Sequence, residues 1–90
     1  MKPECLMMIQ ESCPYCRQAL QIMEDLKKEN PAYSQIEFQI VDELREPDFA
    51  ETLDYWYVPT YFVNGIKLHE GVPTQEKIRA VFEAALQRGK

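Results

Sequence analysis

The 90-residue chain is 46% hydrophobic and has a formal net charge of −5 at pH 7. This length suffices for one small core, so we treat residues 1–90 as a single domain. Acidic residues outnumber basic ones, and the basic residues form no run. This charge pattern disfavours binding to nucleic acid or to an anionic membrane surface.

The first predicted element is a short apolar strand at Cys5–Ile9. A continuous apolar run suits a strand that is buried on both faces, which predicts the centre of a sheet. The run is too short for a signal peptide, so we expect a cytoplasmic protein. In the cytoplasm most disulfides are catalytic or redox-sensing, and three cysteines therefore indicate a redox site. Cys5 itself is expected to be a small buried hydrophobe.

Two thiols, Cys13 and Cys16, enclose Pro14 and Tyr15 where a helical pattern starts. The unpaired N–H groups of a helix N-terminus stabilise a thiolate, and Cys-X-X-Cys motifs there commonly have a lowered cysteine pKa. We therefore expect Cys13 to be the attacking nucleophile. Cys16 lies on the same side of the first turn, shielded by the helix, and is predicted to be the resolving thiol. Pro14 suits the first helical position.

Metal binding is the main alternative reading of these thiols. A structural zinc site normally needs four protein ligands, and beyond the pair only Cys5 and His69 remain. An iron–sulfur cluster shared between chains through Cys13 would instead give a non-catalytic binding module. An inert interaction domain is a third possibility. We expect no metal, and we expect His69 to face water on the polar side of a strand.

The helix is predicted to run from Pro14 to a break at Asn30-Pro31. Its buried face would comprise Ala19, Leu20, Met23 and Leu26. The segment 30–35 is interpreted as an ordinary connection. A second strand follows from the alternation of Ile36, Phe38 and Ile40 with polar residues. A strand–helix–strand succession implies parallel pairing through a right-handed crossover.

The second half of the chain predicts a short helix, a hairpin and a final helix. Pro47 can open a helix in which Phe49 and Leu53 share a buried face. Asn64-Gly65 is the pair most favoured in tight hairpins and would join strands at 61–63 and 66–69. Thr74 can cap the last helix. Its apolar stripe comprises Ile78, Val81, Phe82, Ala85 and Leu86, with a stop near Arg88-Gly89. The predicted order is βαβαββα.

Cys13-Pro14-Tyr15-Cys16, the Val58-Pro59-Thr60 segment and this element order resemble the thioredoxin-fold redoxins, with the glutaredoxins nearest. The resemblance implies an α/β thioredoxin-like fold with a four-stranded mixed sheet flanked by helices. It also implies that Cys13 attacks and Cys16 resolves, and that Pro59 is the family's cis proline. Val58 would offer backbone hydrogen bonds to the substrate as a strand-addition edge. We expect Tyr15 to contact the substrate or glutathione.

The chain departs from the glutaredoxin pattern at three places. Gln10 stands where glutaredoxins usually have a lysine, Glu70-Gly71 replaces a pair of glycines, and Thr74 stands where an acidic residue is expected. These differences weaken the predicted binding of glutathione. The segment from Val58 to the final helix looks like the carboxyl half of a thioredoxin.

The sequence therefore predicts a dithiol thiol–disulfide oxidoreductase that reduces protein disulfides or glutathione mixed disulfides. We expect a monomer without a bound cofactor, with glutathione as electron donor and a flavoprotein reductase as the alternative. Arg17 follows Cys16 and can equally well contact a thiolate or a substrate carboxylate, or remain a solvated surface residue. The aromatic run at 55–57 is expected mainly to pack in the core. Asp42 and Glu43 are interpreted as solvated turn residues.

Overall fold

The computed structural model describes residues 3–88. The elements in chain order are β1 (Cys5–Ile9), α1 (Pro14–Glu29), a 3-10 helix (Pro31–Gln35), β2 (Gln39–Asp42), α2 (Pro47–Glu51), β3 (Thr60–Val63), β4 (Ile66–Glu70) and α3 (Gln75–Arg88). Apart from the 3-10 helix, this is the predicted βαβαββα order. Within the described residues, no helix is long and apolar enough to cross a membrane.

The four strands form one mixed sheet in the order β2-β1-β3-β4. β1 pairs in parallel with β2 and antiparallel with β3, and β3 pairs antiparallel with β4. β1 is therefore an inner strand, as predicted. This topology brings the carboxyl ends of β1, β2 and β4 together with the amino end of β3. We call this end of the sheet the site edge; Gln10, Glu43, Pro59 and Gly71 lie just beyond its strands.

One face of the sheet is covered by α1, α3 and the 3-10 helix, which enclose the larger core. Phe82 of α3 stacks on Tyr33 with ring centroids 5.1 Å apart. Phe38 meets the rings of Phe82 and Tyr61 edge-on at 5.6 and 5.5 Å. Aromatic rings in these arrangements add attraction beyond the apolar area that they bury. α1 contributes Ala19, Met23 and Leu26 to the same core.

The other face has a smaller core around Met8, Val41 and Phe62. Ala50 and Leu53 pack against it, three residues apart and therefore on one side of a helical turn. Phe49, which was predicted to share that buried face with Leu53, remains 38% exposed. That part of the prediction is wrong, because α2 is only five residues long and turns Ala50 toward the sheet.

The second strand begins later than predicted. β2 starts at Gln39, because Pro31–Gln35 folds as a 3-10 helix whose first turn is capped by the Asn30 side chain. Ile36 and Phe38 are apolar because they fill the larger core, whereas Ile40 within β2 is half exposed. The alternating apolar residues therefore lie in two different environments, the larger core and the partly exposed strand.

The other boundaries follow the sequence signals. Asn64 and Gly65 both have positive φ, 51° and 81°, as a tight hairpin turn requires. The Thr74 hydroxyl accepts the Lys77 backbone N–H at 3.1 Å and caps α3. α1 ends at Glu29, before the predicted break. The predicted stop at Gly89 lies outside the described residues.

His69 does not face open water, so that prediction is wrong. The register between β3 and β4 shifts at Tyr61/Phe62, where Tyr61 pairs with His69 and Phe62 pairs with Lys67. Such a bulge interrupts the alternation of side chains between the two faces. The half-buried imidazole consequently lies 6.1 Å from the Tyr61 ring centre, and its Nε2 is 3.1 Å from the Gly71 carbonyl oxygen. Burial lowers the pKa of His69.

Candidate active site

Cys13 occupies the N-cap position of α1, with Pro14 in the first turn. Its backbone is extended, and its carbonyl accepts hydrogen bonds from the Cys16 and Arg17 N–H groups at 3.1 and 3.3 Å. Its own N–H donates to the Gln10 carbonyl at 2.9 Å. The thiol is partly exposed. Cys13 is therefore open to an incoming group at the positive end of a helix.

Cys16 lies one turn further and is buried, with 1% of its surface exposed. Burial above all, together with the adjacent Cys13 and the carboxylate of Glu43, raises the pKa of its thiol to about 12. The nearby backbone of Gln10 opposes this shift. The two sulfurs thus adjoin each other in contrasting environments. Their separate roles as attacking and resolving thiols remain a prediction.

Pro59 is buried at the amino end of β3, and the Val58–Pro59 peptide bond is cis, as the resemblance implied. The Pro59 carbonyl accepts the Gly71 N–H at 2.9 Å, which ties the ends of β3 and β4 together. The Val58 side chain packs on the smaller core. Its main chain makes no backbone hydrogen bond to another described residue, and its pairing with a substrate strand remains a prediction.

The loop before Val58 presents two aromatic side chains to solvent. Trp56 is 83% and Tyr57 is 70% exposed, so the expectation of core packing is wrong for both. Only Tyr55 packs inward, edge-on to Phe62. The Glu70 carboxylate accepts the backbone N–H groups of Trp56 and Tyr57, the latter at 2.9 Å, and pairs with Lys67 at 2.8 Å. These contacts lower the pKa of Glu70 to about 2 and hold the loop at the site edge.

The surface beside the cysteines is open. Tyr15, between the two thiols, is 46% exposed. Arg17 and Ser12 line a shallow hollow of about 370 Å³ that extends to Arg45. Arg45 already forms an ion pair with Glu11 at 2.8 Å, and both side chains are largely exposed. Such an exposed pair adds little stability.

The structure also brings together residues that the sequence analysis did not assign to the site. Gln10 and Glu43 directly follow β1 and β2, and Glu70 ends β4. The signal was available, because parallel strands place the residues after their carboxyl ends at one edge of a sheet. In residues 3–88, no three His, Cys, Asp or Glu side chains are grouped to hold a metal ion. Cys5 is buried at the head of β1, and burial raises its pKa.

The sequence model of the thioredoxin domain matches residues 6–83 of this chain. The chain belongs to the thioredoxin domain family. The match includes the cysteine pair, Pro59 and most of α3. No curated protein sequence matches the chain.

Solved structures of thioredoxin-domain proteins share this fold. The thioredoxin of Malassezia sympodialis superposes with a TM-score of 0.72 at 20% identity, over 94% of this chain and 76% of that one. Oxidised thioredoxin from Plasmodium falciparum gives 0.69 at 17%, over 99% and 83% of the two chains. A protein disulfide oxidoreductase from Aeropyrum pernix gives 0.64 at 24%, over 98% of this chain and 38% of that protein. The predicted thioredoxin-like α/β fold is therefore confirmed.

Proposed function

We propose that this thioredoxin-domain protein is a dithiol thiol–disulfide oxidoreductase that reduces disulfides of other proteins. The observation that carries the proposal is the pairing of a partly exposed Cys13 at the N-terminus of α1 with a buried Cys16 one turn away. Exchange needs one thiol that a substrate can reach and a second thiol that meets only the first.

The reaction proceeds in two exchanges. The Cys13 thiolate attacks one sulfur of the substrate disulfide, which forms a mixed disulfide and releases the other substrate sulfur as a thiolate that takes up a proton. Cys16 then loses its proton and attacks Cys13. This step forms the Cys13–Cys16 disulfide and releases the second substrate thiol. The substrate gains two electrons and two protons, and the dithiol loses them. Tyr15 and the Val58 main chain would hold the substrate, with Pro59 beside the sulfurs.

We propose a flavoprotein reductase, rather than glutathione, as the electron donor that restores the dithiol. Two observations favour it. The Gln10 side chain, which stands at the usual position of the glutaredoxin lysine, is engaged by Glu43. Glu70 stands where the glutaredoxins have a glycine, and its carboxylate accepts the backbone N–H groups of Trp56 and Tyr57. Both contacts support a donor other than glutathione.

The proposal is tested with the purified full chain in two coupled assays. One couples insulin disulfide reduction to NADPH and thioredoxin reductase; the other couples reduction of a glutathione mixed disulfide to glutathione and glutathione reductase. We expect turnover in the first assay and little in the second. Cys13→Ser should abolish turnover, whereas Cys5→Ala is the matched control that should retain it. Turnover by Cys13→Ser, or none by the native chain in both assays, would contradict the assignment.

A further inference from the structure

The main chain that leads to Val58 is held by hydrogen bonds from side chains. The Glu70 carboxylate accepts the N–H groups of Trp56 and Tyr57. The hydroxyl of the buried Thr60 donates to the Tyr57 carbonyl. Among the described residues, by contrast, the N–H and carbonyl of Val58 have no hydrogen-bond partner. The residue proposed to pair with a substrate thus follows a restrained segment and is itself free to pair.

Gly71 holds the main chain on the other side of Val58. Its N–H donates to the Pro59 carbonyl at 2.9 Å. Its φ of 91° lies in the left-handed region that favours glycine. A Cβ atom at this position would lie 3.9 Å from Tyr57 Cβ, so the turn that leaves β4 also packs against residue 57. This turn therefore contacts the loop both before and after Val58.

The His69 side chain braces the same turn. Its Nε2 lies 3.1 Å from the Gly71 carbonyl oxygen. A carbonyl oxygen can only accept, so Nε2 carries the proton and donates the hydrogen bond. The ring is half-buried beside Tyr61, with ring centroids 6.1 Å apart. Gly71 is consequently held through both of its main-chain polar groups, by Pro59 at the N–H and by His69 at the carbonyl.

We propose that His69 is a positioning residue for protein substrates, because its hydrogen bond to Gly71 keeps Pro59 and the free main chain of Val58 in place for pairing. This inference rests on the proposed dithiol exchange. His69 acts through Gly71. A protein disulfide that pairs with Val58 should therefore depend on His69, whereas a small disulfide that reaches Cys13 without such pairing should not.

Three variants of the full chain separate the hydrogen bond from the volume of the ring. His69→Gln places an amide N–H near the position of Nε2 and can keep the bond to Gly71. His69→Asn carries the same amide on a side chain that is one methylene shorter. His69→Leu fills the space beside Tyr61 without a donor. We expect His69→Gln to behave like the native chain, and the other two variants to lose the restraint.

Amide hydrogen exchange followed by NMR measures the restraint itself and needs no enzymatic activity. Its readout is the exchange rate of the Gly71 N–H relative to that of the Met7 N–H in the inner strand β1, which corrects for changes in global stability. Loss of one hydrogen bond should raise this ratio roughly fivefold in His69→Leu and His69→Asn. An unchanged ratio, or an equal rise in His69→Gln, would disprove the restraint.

Steady-state insulin reduction measures the consequence for a protein substrate. His69→Leu and His69→Asn should raise the KM roughly threefold or more with little change in kcat, because the pairing segment is no longer prepositioned. The rate at which Cys13 reacts with Ellman's reagent should not change. The control is Val63→Ala, which removes buried volume at the opposite end of β3 from Pro59. It should lower stability and leave the KM unchanged.

The outcomes separate the two proposals. No turnover by the native chain in either coupled assay would refute the exchange function, while hydrogen exchange would still decide whether His69 restrains Gly71. Native turnover with an unchanged KM in both His69→Leu and His69→Asn would refute the positioning role and leave the exchange function standing. An equal rise in KM in Val63→Ala would show a general effect of lost stability and would also refute the role of His69.

Discussion

The carboxylate of Glu70 accepts the backbone N–H of Tyr57 at 2.9 Å, so the last residue of β4 fixes the loop that leads to Pro59. We predict that Glu70→Ala releases this loop and raises the KM for a protein disulfide roughly threefold or more, because the substrate-binding main chain is no longer prepositioned. Steady-state insulin reduction measures this. The rate at which Cys13 reacts with Ellman's reagent should not change.

Glu83→Ala is the control for Glu70→Ala, because Glu83 is an exposed carboxylate on α3, away from the site edge. It should leave both measurements unchanged. Equal losses for the protein disulfide and Ellman's reagent in Glu70→Ala would show that the residue supports the cysteines rather than the loop. The low pKa of Glu70 keeps its carboxylate ionised at any neutral assay pH.

Replacing the buried thiol should stop the reaction after its first step. In Cys16→Ser, the mixed disulfide on Cys13 has no internal attacker, so it should accumulate with a substrate protein and migrate as a covalent complex on non-reducing gels. The complex should disappear on reduction and be absent from the Cys13→Ser, Cys16→Ser double variant. A complex that persists in the double variant would place the reactive thiol elsewhere.

His69 should make stability depend on pH. Burial lowers its pKa in the folded protein, so the unfolded chain binds the proton more readily. Its contribution to stability is fully present above the unfolded pKa of about 6.5 and is lost as the pH falls toward the folded value. Urea unfolding between about pH 5 and 7.5 measures this change. His69→Gln should reduce the slope, and an unchanged slope would show that other groups cause it.

Phe82 connects the aromatic part of the larger core. Phe82→Ala removes its contacts with Tyr33 and Phe38 and should reduce the free energy of unfolding by about 3–5 kcal/mol. Phe49→Ala is the matched control, because Phe49 is partly exposed on α2 and its loss should cost less than about 1 kcal/mol. Urea denaturation distinguishes the two. Similar losses would contradict the assignment of Phe82 to the central core.

Local signals accounted for the elements that the sequence predicted well. Asn64-Gly65 required a tight turn through its positive φ values, and Thr74 capped α3 with its own hydroxyl. The alternation of Ile36 and Phe38 with polar residues wrongly predicted that the strand begins there. Both side chains are buried against residues that are distant in the chain, and neither belongs to β2. A periodic pattern does not show which neighbour each residue meets.

The cysteine pair was recognisable from its spacing, and the strand order placed Gln10 and Glu43 at the same edge of the sheet, but the hydrogen bond between their side chains was not predictable. Gln10 and Glu43 lie 33 positions apart, and each looks like an ordinary polar residue after a strand. Their contact depends on the parallel register of β1 and β2, which sets Ile9 opposite Asp42. The exposure of Trp56 likewise depends on how Glu70 holds the loop, and no periodicity encodes that arrangement.

The 83% exposure of Trp56 determines what intrinsic fluorescence can report, because it is the only tryptophan in the chain. Its indole already meets water in the native state, so unfolding changes its surroundings little, and its emission will change only slightly on denaturation. A protein that covers the loop will instead remove the indole from water. The native chain thus carries an optical probe for partner binding that requires no added label.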